Sequence, residues 1–237
     1  MKLSPEDVPS LIANSTEDGN GGLRDEAYGW WTRENDSEPY QYRGLDNGLA
    51  AIAAVLREEG PFDGVVGFSQ GGCAAGMVTA LLEDGRKEAF NRHYAAQGGY
   101  CFPESFLGEE KGSTVHPAFK FAVSYSGFGA SRMQQYRAFY EPKIVTPMMH
   151  FIGSVDTVVS EERSLQLVND CVGGEEAGNG GRVVRHPGGH FLPTSKTSVV
   201  PLVAFIREVM NGQAGSGNSH GGAEKEEESV EDMDVPF

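Results

Sequence analysis

Gly67-Phe68-Ser69-Gln70-Gly71 sets a serine between two glycines two residues either side of it. Alone the pattern is weak, because the chain holds 32 glycines. Its surroundings strengthen it. The apolar run Asp63-Gly64-Val65-Val66-Gly67-Phe68 precedes the serine, and an Ala-, Leu- and Met-rich stretch follows it to Asp84. That is a strand handing over to a helix, the setting of a nucleophile elbow. Side chains beside so tight a turn would clash, so Gly67 and Gly71 flank it, and the hydroxyl of Ser69 stands clear of the sheet end. The backbone N–H of Gln70, at the start of the helix, would face a developing oxyanion. This context favours a nucleophile over an ordinary turn serine.

A serine hydroxyl needs a base. The chain offers one in the order Ser, Asp, His. Asp156 follows the apolar run Met148–Ile152 in Gly153-Ser154-Val155-Asp156, and a helix-capping role is its rival. Asp170, Glu175 and Glu176 suit a helix end and a loop. His190 closes His186-Pro187-Gly188-Gly189-His190, where two glycines make an open loop able to bring an imidazole over Ser69. Among the other histidines, His150 lies inside a strand, His186 ends one, His93 and His116 fall in a long connection, and His220 is in the tail. In this reading His190 takes and returns the Ser69 proton, and Asp156 fixes the tautomer and stabilises the imidazolium. Cys73, one turn beyond Ser69, reads as a small packed residue. Arg163 reads equally as a surface charge or a substrate contact.

The elements that must hold these residues alternate in type. Leu45, Leu49, Ile52 and Leu56 mark a helix ending at Glu59-Gly60-Pro61, with Gly60 expected as a left-handed cap. Residues 63–68 read as a strand buried on both faces. Further strands are expected at 121–125, 148–152 and 181–185, and helices at 161–171, capped by Ser160, and at 199–210. Residues 86–119 have weak periodicity and read as a long connection, a specificity element with Tyr100, Phe102, Phe106 and Leu107 as pocket walls. Strands alternating with helices predict an α/β fold with a mostly parallel sheet.

Composition narrows the function. The net charge is −15, from 34 acidic and 19 basic residues, which argues against tracking nucleic-acid phosphates or docking on an anionic membrane. Residues 1–42 hold nine acids and three bases, and residues 211–237 seven acids and one lysine. The first segment is expected to be a largely irregular acidic arm pinned by Trp30-Trp31, the middle (43–210) a domain, and the last a disordered tail. Cys73, Cys101 and Cys171 form no metal-binding pair, and their odd count suits a reducing compartment. The N-terminus has no signal-peptide core, and no stretch approaches a membrane span, so a cytoplasmic or nuclear-cytoplasmic protein is expected. No metal or organic cofactor is called for.

Taken together, residues 60–72, the segment Ser126-Gly127-Phe128, residues 150–159, Arg163-Ser164, residues 186–193 and the Trp30-Trp31 pair resemble the family of serine hydrolases (FSH), α/β hydrolases of fungi and animals. The resemblance spans roughly residues 1–210. It implies an α/β-hydrolase fold, with Ser69, Asp156 and His190 as the triad, acting on carboxylic esters. It also implies a second reading, a thioesterase that releases an acyl or polyketide chain, with an acyl-carrier protein as partner. Against the family pattern, two strands and a helix expected ahead of Leu3, on the order of 40 to 50 residues, have no counterpart in this sequence. The first of their loops would carry a second oxyanion donor, worth roughly 100- to 1000-fold in rate. An incomplete gene model, a truncated protein of little activity and a rearranged arm would each account for this. The first is favoured, because residues 1–42 contain no apolar run fit for a buried strand. A non-catalytic fragment binding a partner or an acyl ligand, with an exposed sheet edge, is the rival from outside catalysis.

Overall fold

The computed structural model describes residues 28–34, 39–174 and 182–214. Most of the acidic arm (1–27) and tail (215–237) lies outside the described residues, as do Glu175, Glu176, Gly181 and His220. Two short strands, β1 (Thr32–Arg33) and β2 (Tyr42–Arg43), pair antiparallel. Four parallel strands form the main sheet: β3 (Gly64–Phe68), β4 (Phe121–Tyr125), β5 (Met148–Gly153) and β6 (Val183–His186), adjacent in that order. The helices are α1 (Leu45–Glu59), α2 (Gln70–Leu81), α3 (Arg86–Gln97), α4 (Glu161–Asn169) and α5 (Lys196–Ala214).

Side chains alternate along each strand and build a core on each face of the sheet. Ala122 and Met148 point toward Leu45 and Leu49 of α1, Cys73, Met77 and Leu81 of α2, and Leu167 of α4. Val123, Tyr125, Met149 and Phe151 point the other way, onto Phe205 and Val209 of α5. Tyr125 and Phe151 stack at 4.3 Å between centroids. A large apolar side chain buried in either layer contributes roughly 1.5–3 kcal/mol.

β3 departs from the expected doubly covered strand. It is an outer strand, and among the described residues nothing pairs with its free side. Val66, on the α5 face, is 58 % exposed, whereas Val123 beside it on β4 is fully buried. An apolar groove of about 420 Å³ runs along β3 and is lined by Trp30, Ile52, Val55, Val66 and Val78 among others.

Other expectations are corrected in detail. Gly60 ends α1 in extended backbone, not left-handed, and a Cβ there would lie 2.4 Å from the Leu56 carbonyl oxygen. The 86–119 connection holds α3, which presents only Arg86, Ala89 and Phe90 to the interior. Its aromatics are mostly core: Phe106 is fully buried, and Tyr100 and Phe102 pack against the same cluster. Phe102 and Leu107 do line a cavity of about 360 Å³, but none of Ser69, Asp156 and His190 lines it. The last helix begins at Lys196 and carries Pro201 within it. Ser160 occupies the N-cap of α4, with no capping bond from its side chain.

Candidate active site

In a parallel sheet every strand delivers its following loop to one edge, and here those loops carry the candidate residues. Ser69 directly follows β3 with φ 54° and ψ −118°, a left-handed conformation costing a non-glycine residue about 1–3 kcal/mol. Its N–H donates to the Tyr125 carbonyl at 2.8 Å, which ties the turn to β4. Its own carbonyl accepts from the N–H groups of Gly72 (2.9 Å) and Cys73 (3.2 Å), which start α2. A Cβ on Gly67 would sit 2.0 Å from the Gly71 carbonyl oxygen, so only glycine fits beneath the turn.

The histidine loop crosses the end of β5. A Cβ on Gly153 would approach the carbonyl oxygens of Gly188 and Gly189 at 2.7 and 2.6 Å. Val155 N–H donates to the Gly188 carbonyl at 3.2 Å. The loop thereby brings His190 between the other two side chains. His190 Nδ1 lies 2.8 Å from Asp156 Oδ2, and its Nε2 lies 2.9 Å from Ser69 Oγ. A carboxylate can only accept, so the proton belongs on Nδ1 and Nε2 accepts from the Ser69 hydroxyl. The ring of Phe68 flanks the imidazole, with centroids 4.8 Å apart.

The other oxygen of Asp156 is held as firmly. Oδ1 accepts from the N–H groups of Val158 and Val159, both at 2.9 Å. Burial pushes the Asp156 carboxyl up, but the Val159 N–H, His190 and the Val158 N–H together outweigh it, and its pKa is lowered. It is therefore ionised at neutral pH. The one rival acid among the described residues, Asp170, sits at the end of α4, where burial raises it to about 6.

The remaining histidines have other work. His116 Nε2 accepts the Phe62 N–H at 2.6 Å, fixing the approach to β3. His150 is buried in β5, and burial lowers its pKa to about 3. His93 faces Glu141 at 3.5 Å, and His186 Nδ1 accepts the Gly188 N–H at 3.3 Å. Cys73 is fully buried, its thiol pushed up to about 12 by burial, which suits a packed residue.

Gln70 has two parts to play. As the first residue of α2, directly after Ser69, its backbone N–H has no partner within the helix. Its side chain, unremarked in the sequence, clamps the N-terminal segment: Oε1 accepts the Trp30 N–H at 2.8 Å and Nε2 donates to the Trp31 carbonyl at 2.9 Å. Trp31 is buried and stacks on Tyr42 at 5.1 Å, while Trp30 stays partly exposed, so Trp31 is the main anchor of the pair. Ser126 is a second strained residue, marked in the sequence only as part of the Ser126-Gly127-Phe128 segment. It has φ 46° and follows β4 one step beyond the Phe68–Tyr125 pair, level with Ser69.

Residues 1–202 match the serine hydrolase (FSH1) family. The chain belongs to the FSH1 serine hydrolase family. A budding-yeast relative, family of serine hydrolases 3 (Saccharomyces cerevisiae), is 30 % identical over 222 residues, covering 90 % of this chain and 72 % of the relative. The zebrafish (Danio rerio) esterase OVCA2 is 28 % identical over 186 residues, covering 76 % and 67 %. A Schizosaccharomyces pombe protein named dihydrofolate reductase is 33 % identical over 188 residues, covering 79 % of this chain but 33 % of its own length. This serine hydrolase chain thus spans about a third of that fission-yeast relative. Among its described residues no helix is long and apolar enough to cross a membrane, and no group of three or more His, Cys, Asp and Glu side chains is placed to hold a metal ion.

Proposed function

We propose that the protein hydrolyses a carboxylic ester or thioester through an acyl-Ser69 intermediate. The observation that carries this is the unbroken hydrogen-bonded chain from Ser69 through His190 to Asp156, anchored at a strained strand-to-helix turn. His190 Nε2 takes the hydroxyl proton as Ser69 Oγ attacks the carbonyl carbon. The oxyanion forms opposite the Gln70 N–H. The tetrahedral species collapses, the C–O or C–S bond breaks, and His190 returns the proton to the departing alcohol or thiol. Water, deprotonated by His190, then cleaves the acyl-enzyme, which yields the carboxylic acid and restores Ser69. Throughout, Asp156 keeps the proton on Nδ1 and balances the imidazolium charge.

A fluorophosphonate probe is expected to label wild-type protein at Ser69 and to leave folded Ser69→Ala unmodified. Well-folded wild-type protein that resists the probe would overturn the proposal. A matched ester and thioester of one acyl group, assayed side by side, separate the two leaving-group chemistries. The outer side of β3, unpaired among the described residues, favours a second reading, a non-catalytic member that binds a partner. That reading predicts self-association on a sizing column and no labelling, and a monodisperse, probe-reactive monomer contradicts it.

A further inference from the structure

Arg163 stands against the preferences of its own helix. It occupies the first turn of α4, where the helix dipole favours acids and disfavours a cation. The two acids beside it are both engaged elsewhere: Glu161 with Arg185 at 2.8 Å and Glu162 with Arg132 at 2.7 Å. Among the described residues no carboxylate pairs with Arg163. Its guanidinium instead lies over the ring of Phe128, 4.3 Å from the centroid, and the residue is only partly exposed. Stacking occupies the flat face of a guanidinium and leaves its N–H groups, which point outward in the ring plane, free to donate.

The position is as telling as the missing partner. Phe128 lies two residues beyond Ser126, and Ser126 is level with Ser69 across the β3–β4 ladder. Between them, Gly127 is pressed against the first turn of α2, where a Cβ would lie 3.0 Å from Gly72 Cα. The start of α4 is fastened to this loop by two bonds: Ser164 Oγ donates to the Gly127 carbonyl at 2.8 Å, and Gly129 N–H donates to the Arg163 carbonyl at 3.3 Å. The same β5–α4 connection carries Asp156. The stacked cation is therefore fixed to the segments that build the serine site. Its charge reaches inward too: burial raises the pKa of both Cys73 and Tyr42, and Arg163 works in the opposite direction at each.

We propose that Arg163, stacked on Phe128, is a specificity-determining residue that binds an anionic group of the substrate, a carboxylate or a phosphate, while the neighbouring Ser69 attacks its ester or thioester carbonyl. This deepens the Ser69 reading and rests on it. A guanidinium fork presents paired donors that match the oxygens of either anion. Two sources of that anion are open to test: a carboxylate at the far end of the acyl group, or phosphates on a thiol leaving group.

The experiment uses matched neutral and anionic substrates on the full chain. One arm compares p-nitrophenyl acetate with mono-p-nitrophenyl succinate. The other compares the acetyl thioester of N-acetylcysteamine with acetyl-coenzyme A. Wild-type protein is expected to prefer the anionic member of one pair. Arg163→Gln then loses about 10- to 100-fold in kcat/KM on that substrate, mostly through KM, and stays within about twofold on its neutral partner. Arg163→Lys, which keeps the charge without the fork, recovers only part of the loss. The thermal midpoints of both variants should stay near that of wild type. No anionic preference in either pair, or an equal loss on neutral and anionic substrates, overturns the proposal. A calorimetric titration of Ser69→Ala with the preferred anionic substrate tests Arg163 without turnover. Binding that vanishes in Ser69→Ala/Arg163→Gln supports the assignment, and unchanged or absent binding rejects it. Failure of the Ser69 reading shows separately, as neutral esters left intact and a fluorophosphonate probe left unbound by wild-type protein.

Discussion

Ser69→Ala is expected to lower kcat for an activated ester by roughly 10⁵- to 10⁶-fold while leaving the fold intact. In the proposed mechanism the hydroxyl forms the acyl bond, and the alanine side chain offers no substitute for it. The elbow itself should survive, because the turn is held by the Ser69 backbone N–H on Tyr125 and the Ser69 carbonyl on α2, not by Oγ. His190→Ala should cost nearly as much, since Oγ at 2.9 Å from Nε2 then has no base. The double variant should be little worse than either single one, because residues acting as one unit lose their effect together. Initial rates across the three variants, with circular dichroism as the folding control, check this. Losses that simply multiply in the double variant would show that Ser69 and His190 act independently.

Asp156→Asn should reduce kcat by about 10⁴-fold, with less effect on KM. The reason lies in how its two oxygens are used. Oδ1 serves the Val158 and Val159 N–H groups, and Oδ2 serves His190 Nδ1. Asparagine has a single acceptor oxygen. If that oxygen keeps the two backbone bonds, the amide N–H₂ faces Nδ1, which must then accept. The ring proton moves to Nε2, where it confronts Ser69 Oγ as a donor and cannot act as a base. The same substitution changes the acid limb of stability. The Asp156 pKa is lower folded than unfolded, so its ionised form adds stability above the ordinary carboxylate range. That contribution is lost as pH falls through the folded value. Wild-type protein should therefore lose more stability than Asp156→Asn between neutral pH and the acid range, in parallel urea melts. Equal slopes would mean that Asp156 has no partner specific to the native state.

The serine, aspartate and histidine could be read from sequence because each follows a short apolar run, and parallel strands bring such positions to one edge. The glycines added weight, and the structure supplies their reason: Gly67 and Gly153 sit where another backbone passes within van der Waals distance of a Cβ. Other features gave no such local signal. Helix α3 buries three residues at most, so no apolar stripe marks it. Phe106 and Tyr100 look alike in sequence as loop aromatics, yet one is fully buried and the other reaches across to Asp46. The exposure of β3 leaves no mark in the sequence, because an apolar run says nothing about how many neighbours its strand will have. The Gln70 clamp and the Phe128–Arg163 stack join residues 35 to 40 positions apart, and only the folded chain brings them together.

Among the described residues, the strand that leads into Ser69 is hydrogen-bonded to one neighbour, whereas β4 and β5 each have two. Such a strand can part from the sheet in a local fluctuation that costs less than melting the whole domain. Opening β3 would release Ser69 from the Tyr125 carbonyl and take its hydroxyl away from His190, while the β4–β5 cores remain packed. In the proposed mechanism, activity can then be lost while the fold stays intact. At denaturant concentrations too low to disturb the aromatic signal of the Tyr125–Phe151 layer, turnover should already fall, and the amides of β3 should exchange with solvent before those of β4.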